Sequence, residues 1–84
     1  MVRVLYFAWV REAIGLDEEV VEPPPQVATV DALVDWLSGR GEGHRRAFAD
    51  RGRLRAAVDQ AFVPLNAGIS GAREVALFPP VTGG

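Results

Sequence analysis

This chain predicts an α+β roll, with a mixed sheet and one main helix packed on one of its faces. Three observations carry that reading. Runs rich in β-branched and aromatic residues open and close the body of the chain, at Val2–Trp9 and Glu74–Phe78. Between them Val30, Leu33, Val34 and Leu37 recur at helical spacing behind Thr29, a residue suited to an N-cap. Shorter strand candidates fill the gaps, so the order is strand, strand, helix and three strands.

Each element has its own signal. From Val2 to Trp9, Val2, Val4, Tyr6 and Ala8 share one face and Arg3, Leu5, Phe7 and Trp9 the other. Both faces are apolar after Arg3, as expected of a central strand. Val10–Ile14 suits a short helical turn closed by Gly15. Asp17–Glu22 is more polar and reads as an edge strand, ended by Pro23-Pro24-Pro25. The main helix stops at the glycine-rich stretch Ser38–Gly43, and His44–Asp50 suits a second short helix. Arg55–Val58 and Ala61–Val63 form a hairpin across Asp59-Gln60. Pro64–Arg73 is a loop, and Glu74–Phe78 is the last strand. The first and last strands are the most apolar and are expected to be central neighbours.

Composition narrows the function. The 84 residues suit one domain, 1–84, with a body at 1–78 and an extended tail at 79–84. A formal net charge of −2 implies no polyelectrolyte partner and argues against nucleic-acid binding. The absence of cysteine excludes disulfides and thiolate metal ligands, so any sulfur chemistry must use another group. All nine basic residues are arginine, so the chain has no ε-amine to accept an isopeptide or form a Schiff base. The apolar run Val4–Val10 is too short to span a membrane and is followed at once by Arg11-Glu12; a cytoplasmic protein is expected, with no membrane partner.

No catalytic constellation is visible in the body. His44, beside Arg45 and Arg46, reads as a solvated surface residue. Asp17, Glu18 and Glu19 read as a solvated edge, and no metal site is expected. Gly39, Gly41 and Gly43 lack the strand-to-helix context and the lysine of a phosphate loop. The tail is different. Gly83-Gly84 offers a carboxylate whose backbone, lacking Cβ atoms, can enter a narrow site. Pro79-Pro80, followed by Val81-Thr82, makes an extended stalk poor in hydrogen bonds between the body and that tip.

These residues resemble a known family. The ending Leu77-Phe78-Pro79-Pro80-Val81-Thr82-Gly83-Gly84 is similar to that of molybdopterin synthase small subunits. Val4-Leu5-Tyr6-Phe7-Ala8, Val10-Arg11-Glu12 and Ala56-Ala57-Val58-Asp59-Gln60 are similar too, with Asp59 where the family usually has Asn. The resemblance runs over the whole chain. It implies a ubiquitin-like β-grasp fold. It also implies that an E1-like enzyme uses ATP to adenylate the Gly84 carboxylate, with Gly83 beside it, and that the product becomes a thiocarboxylate. No cofactor would be bound permanently. A larger synthase subunit, assembled with this chain as a heterotetramer, would receive the tail, and the sulfur would pass to cyclic pyranopterin monophosphate to build a dithiolene.

Strand alternation adds an expectation about the partner surface. If Val2, Val4 and Tyr6 face the helix, then Leu5 and Phe7 lie on the open face, joined by Phe78, with Phe62 extending the patch. Phe7, Phe62 and Phe78, together with Pro79, Pro80, Val81 and Thr82, are the expected partner-binding residues. Three alternatives stand beside this reading: a sulfur carrier for thiazole or cysteine synthesis, a ubiquitin-like protein modifier, and a plain interaction domain whose tail has no chemistry.

Overall fold

A computed structural model describes residues 1–80, leaving Val81, Thr82, Gly83 and Gly84 outside the described residues. Five strands, β1 (Val2–Tyr6), β2 (Glu18–Val21), β3 (Arg55–Val58), β4 (Ala61–Val63) and β5 (Glu74–Phe78), form one mixed sheet. Their spatial order is β2-β1-β5-β3-β4. Three helices, α1 (Ala8–Ile14), α2 (Val30–Ser38) and α3 (Glu42–Ala47), and a 3-10 turn at Arg51–Arg53 complete the fold.

The centre of the sheet joins the two ends of the chain. β1 and β5 run parallel, with Val4 opposite Val75 and Tyr6 opposite Leu77. The expected pairing of the first and last strands is therefore present, and Asp17–Glu22 does supply an edge strand. Val4, Tyr6, Val75 and Leu77 point to the helical side and are almost fully buried. They meet Leu33, Val34 and Leu37 of α2, and Val10, Phe48 and Leu54, in one contiguous core. Burying each such side chain stabilises the fold by about 1.5–3 kcal/mol relative to leaving it exposed.

Local chemistry sets the boundaries. Thr29 Oγ1 accepts the Ala32 N–H at 3.1 Å, capping α2 as its residue type predicts. Two more N–H groups at that helix start, those of Val30 and Asp31, donate to the carbonyls of Ala67 and Leu65, which fixes the 64–73 loop against α2. Gly15 closes α1 in the left-handed region, with φ at 87°. Asp59 and Gln60 both take positive φ, 48° and 72°, as a tight hairpin between β3 and β4 requires. Asp59 Oδ1 also accepts the N–H groups of Arg73 and Glu74, both at 3.0 Å, so the turn is pinned to the start of β5.

The first strand is shorter than its apolar run. β1 stops at Tyr6; Phe7 remains extended, and Ala8, with φ at 52°, turns the chain into α1. Trp9 therefore lies on a helix, half-buried against the core, and not on the open face of the sheet. Val10, Ala13 and Ile14 pack inward from the same helix, at spacings of three and four, and this helical pattern overrides the strand-like composition.

Gly43 is needed for close approach, not for an anion loop. A Cβ built on it would lie 2.3 Å from the Ala13 carbonyl oxygen and 3.1 Å from Ile14 Cα, because α3 crosses the end of α1 there. Gly43→Ala should therefore destabilise the fold by about 1–3 kcal/mol, since backbone on both sides must move. Denaturant unfolding of the variant checks this. A stability equal to or above that of the parent, as helix propensity alone would give, contradicts the contact.

Candidate functional site

The helices cover one face of the sheet and leave the other open. Period-two alternation sends Leu5, Ala76, Ala57 and Phe62 to the open side. The strand register sets these four residues side by side: Leu5 opposite Ala76, Ala76 opposite Ala57, and Ala57 opposite Phe62. The two alanines are short, so the middle of the row is a floor. Leu5 and Phe7 rise on one side of it and Phe62 and Phe78 on the other, enclosing an apolar groove of about 400 Å3 whose polar end carries Gln60 and Glu74. The Phe62 and Phe78 rings stand 5.6 Å apart and tilted, a favourable aromatic pairing.

Exposure separates these residues. Phe62 is 82 % and Phe7 45 % exposed, while Leu5 and Phe78 are half-buried. Exposed aromatic rings on a sheet face are costly to leave in water and mark a contact surface. Phe7 reaches this face although it lies one residue beyond β1. Its φ and ψ are still extended, and its N–H donates to the Leu77 carbonyl, so the alternation carries past the strand end.

Phe78 ends β5 and leads directly into Pro79 and Pro80, both half-buried. Neither proline has an N–H to donate, which stops further pairing of the strand. Phe78, at the end of β5, therefore joins the groove to the two prolines. Of the remaining expected site residues, Val81, Thr82, Gly83 and Gly84 lie outside the described residues.

The helical side holds a polar cluster that sequence spacing did not reveal. Tyr6 Oη donates to Glu19 Oε2 at 2.8 Å, and His44 Nε2 lies 2.5 Å from the same oxygen. Arg40 approaches the other carboxylate oxygen at 3.6 Å. The side chains of His44 and Glu19 are only 12 % and 14 % exposed. His44 is thus a partnered, largely covered residue rather than a solvated one, and Glu19 is not part of a solvated acidic edge. The reason is Tyr6: its ring is buried in the core, and its hydroxyl needs an acceptor at the core margin. Burial works against the Glu19 carboxylate, but the bonds from His44 and Tyr6 and the Arg40 charge outweigh it and hold its pKa below the usual carboxylate range. Burial, reinforced by the bond to Glu19, pushes the Tyr6 hydroxyl far above its usual range.

This cluster ties α3 to β2 and does not open onto the groove. Among the described residues no group of three histidine, aspartate or glutamate side chains could hold a metal ion. No described helix is long and apolar enough to cross a membrane. What the described body offers is an exposed apolar groove beside the end of β5.

Glu19→Ala should cost about 1–3 kcal/mol at neutral pH, because it strands the buried Tyr6 hydroxyl. The lowered folded-state pKa makes the carboxylate's stabilisation complete above the ordinary value of 4.5 and drains it as pH falls through the lower folded value. The gap between parent and variant should therefore narrow in acid. Urea midpoints at pH 7 and at about pH 3 test this, and a gap independent of pH contradicts it.

The whole architecture and the residues along it match known proteins. The ThiS family pattern matches residues 4–84. A molybdopterin synthase sulfur carrier subunit from Haemophilus influenzae is 37 % identical over 84 residues, covering both chains completely. One of the same name from Escherichia coli is 40 % identical, again over the full length of both. Among solved structures, a chain from Pyrococcus furiosus described as molybdopterin converting factor subunit 1 superposes with a TM-score of 0.72 at 29 % identity, covering 95 % of this chain and 97 % of that one. SAMP1 from Haloferax volcanii gives 0.74 at 28 % identity, covering 99 % and 98 %. The fold is thus the ubiquitin-like one that the ending and the element order imply, and the chain belongs to the ThiS family.

Proposed function

We propose that this chain is the sulfur carrier subunit of a molybdopterin synthase. The observation that carries the proposal is positional. The apolar groove and the tail share β5, so a protein that covers Phe62 and Phe78 is placed to receive whatever follows Pro80. The end-to-end match with relatives that bear this name supports it.

The chemistry follows from the terminal carboxylate. A carboxylate is a poor electrophile. An E1-like partner makes it reactive by attaching AMP from ATP through a mixed anhydride, with release of pyrophosphate. Hydrosulfide then attacks the acyl carbon, the acyl–phosphate bond breaks, and AMP and a proton leave, so one carboxylate oxygen is replaced by sulfur. The resulting thiocarboxylate needs no cysteine, and the chain has none. In the synthase that sulfur passes to cyclic pyranopterin monophosphate, and water restores the carboxylate. Gly83 and Gly84 suit a narrow partner tunnel because no Cβ obstructs either wall. Pro79 and Pro80 lower the conformational entropy lost when the tail is threaded. In this reading the chain works in the cytoplasm. It supplies the substrate group and the docking surface, its large partner supplies the active site, and two copies of each assemble as a heterotetramer.

Two variants test the two halves of this proposal separately. Phe62→Ala removes a ring that is mostly in solvent, so folding should be unchanged while affinity for the large subunit falls by about 2 kcal/mol or more. Deleting Gly84 should leave both folding and docking intact and abolish sulfur transfer. Calorimetric titration and a dithiolene-forming assay distinguish them. Full sulfur transfer by the truncated chain, or unaltered docking of Phe62→Ala, would refute the corresponding half.

A further inference from the structure

The sheet end from which the tail leaves carries a second hollow, on the helical side. It has a volume of about 410 Å3 and is lined by Trp9, Arg46, Ala47, Ala49, Asp50 and Arg53. Two connections fix its position. Trp9 stands two residues past Phe7, whose N–H is bonded to the Leu77 carbonyl. Arg53 stands two residues before Arg55, the register partner of Phe78. Two of its lining residues thus lie within two positions of residues bonded or paired at the end of β5.

Its charge is unbalanced. Arg3, Arg40, Arg45 and Arg51 each face a carboxylate. Arg46 and Arg53 are both exposed, and neither belongs to any ion pair among the described residues. Asp50 also lines the hollow and accepts the Gly52 N–H at 3.1 Å, so the lining carries two guanidinium groups against one carboxylate. Two free guanidinium groups beside a half-buried indole form a cationic, partly apolar recess, in a chain whose formal net charge is −2. Guanidinium forks match carboxylates in shape and charge. A nucleic-acid backbone is disfavoured by the negative chain as a whole.

We propose that this hollow docks an acidic segment of a protein that takes up the tail, with carboxylate side chains seated between Arg46 and Arg53 against Trp9. The inference rests on the sulfur-carrier reading, because only a protein that accepts the tail must close around its root. Such a partner grips the exit on both layers, with apolar side chains in the groove and acidic ones in the hollow. The cationic side steers the encounter and sets the orientation of the tail as it enters.

The test uses the full chain with its own large subunit and, separately, its own activating enzyme. Association rates are measured for the parent, for Arg46→Glu with Arg53→Glu, and for a control with the same change in net charge, Arg45→Glu with Arg73→Glu, at residues outside the hollow. All four side chains are exposed, so thermal midpoints should stay close to that of the parent. The hollow variant should associate with at least one partner about tenfold more slowly at low salt. That deficit should fall below about twofold near 1 M salt, where charges are screened, and the control should lose less than about threefold throughout. Equal losses for both variants would assign the effect to net charge alone and overturn the inference. So would a hollow variant that matches the parent with both partners. If the parent binds neither partner, the sulfur-carrier reading itself fails; if the parent binds and only the hollow variant is unaffected, that reading stands and this inference alone falls.

Discussion

The rest of this structure depends on the parallel pairing of β1 with β5. It brings residues 3–6 against residues 74–77, so nearly the whole chain lies between the two central strands. A parallel neighbour cannot be reached by a tight turn and needs a long crossover. That crossover carries the helices, and the helices can cover only one face. Among the described residues no second layer covers the other. The exposed rings of Phe7 and Phe62 follow from this constraint. The proposed docking uses a face that topology leaves open.

The same pairing sets where the strand that leads into Pro79 and Pro80 ends. β5 is the central strand of the five, flanked by β1 and β3, and it ends where the sheet ends. Whatever follows Phe78 is launched from the middle of the molecule rather than from an edge. Small residues contribute as much as aromatic ones here. Larger side chains at Ala57 and Ala76 would fill the floor between the aromatic walls and leave a flat patch instead of a groove. The polar residues serve other ends. Asp59 pins the hairpin to β5, and Arg51 binds Asp31 and Asp35 across the helical side at 2.6 Å each. The Tyr6–Glu19–His44 cluster anchors α3. All three stabilise the frame that presents the groove.

How much of this was legible in the sequence depends on the range of the signal. Period-two alternation sorts Leu5 from Val4 and Tyr6, and Phe78 from Val75 and Leu77, and with the expected pairing of the first and last strands it sets Leu5, Phe62 and Phe78 on one face. Phe7 is sorted correctly even though the strand ends before it, because its backbone stays extended. Trp9 is misplaced by the same rule, since composition cannot register the left-handed turn at Ala8. The capping roles of Thr29 and Gly15 and the hairpin at Asp59-Gln60 are local and readable. The partnership of Glu19 with His44 spans 25 positions and depends on where α3 crosses β2, which no local pattern encodes. Gly43 is opaque for the same reason: its contact with Ala13 exists only once two helices cross.

In the proposed function the terminal carboxylate is the working group and the folded body delivers it. The most direct test of that function is the intact mass of the chain after incubation with its activating enzyme, ATP and a sulfur donor. The expected product is heavier by the difference between one sulfur and one oxygen, with the change confined to Gly84 on fragmentation. An unmodified mass under conditions in which ATP is consumed, or sulfur found at any other residue, would contradict it.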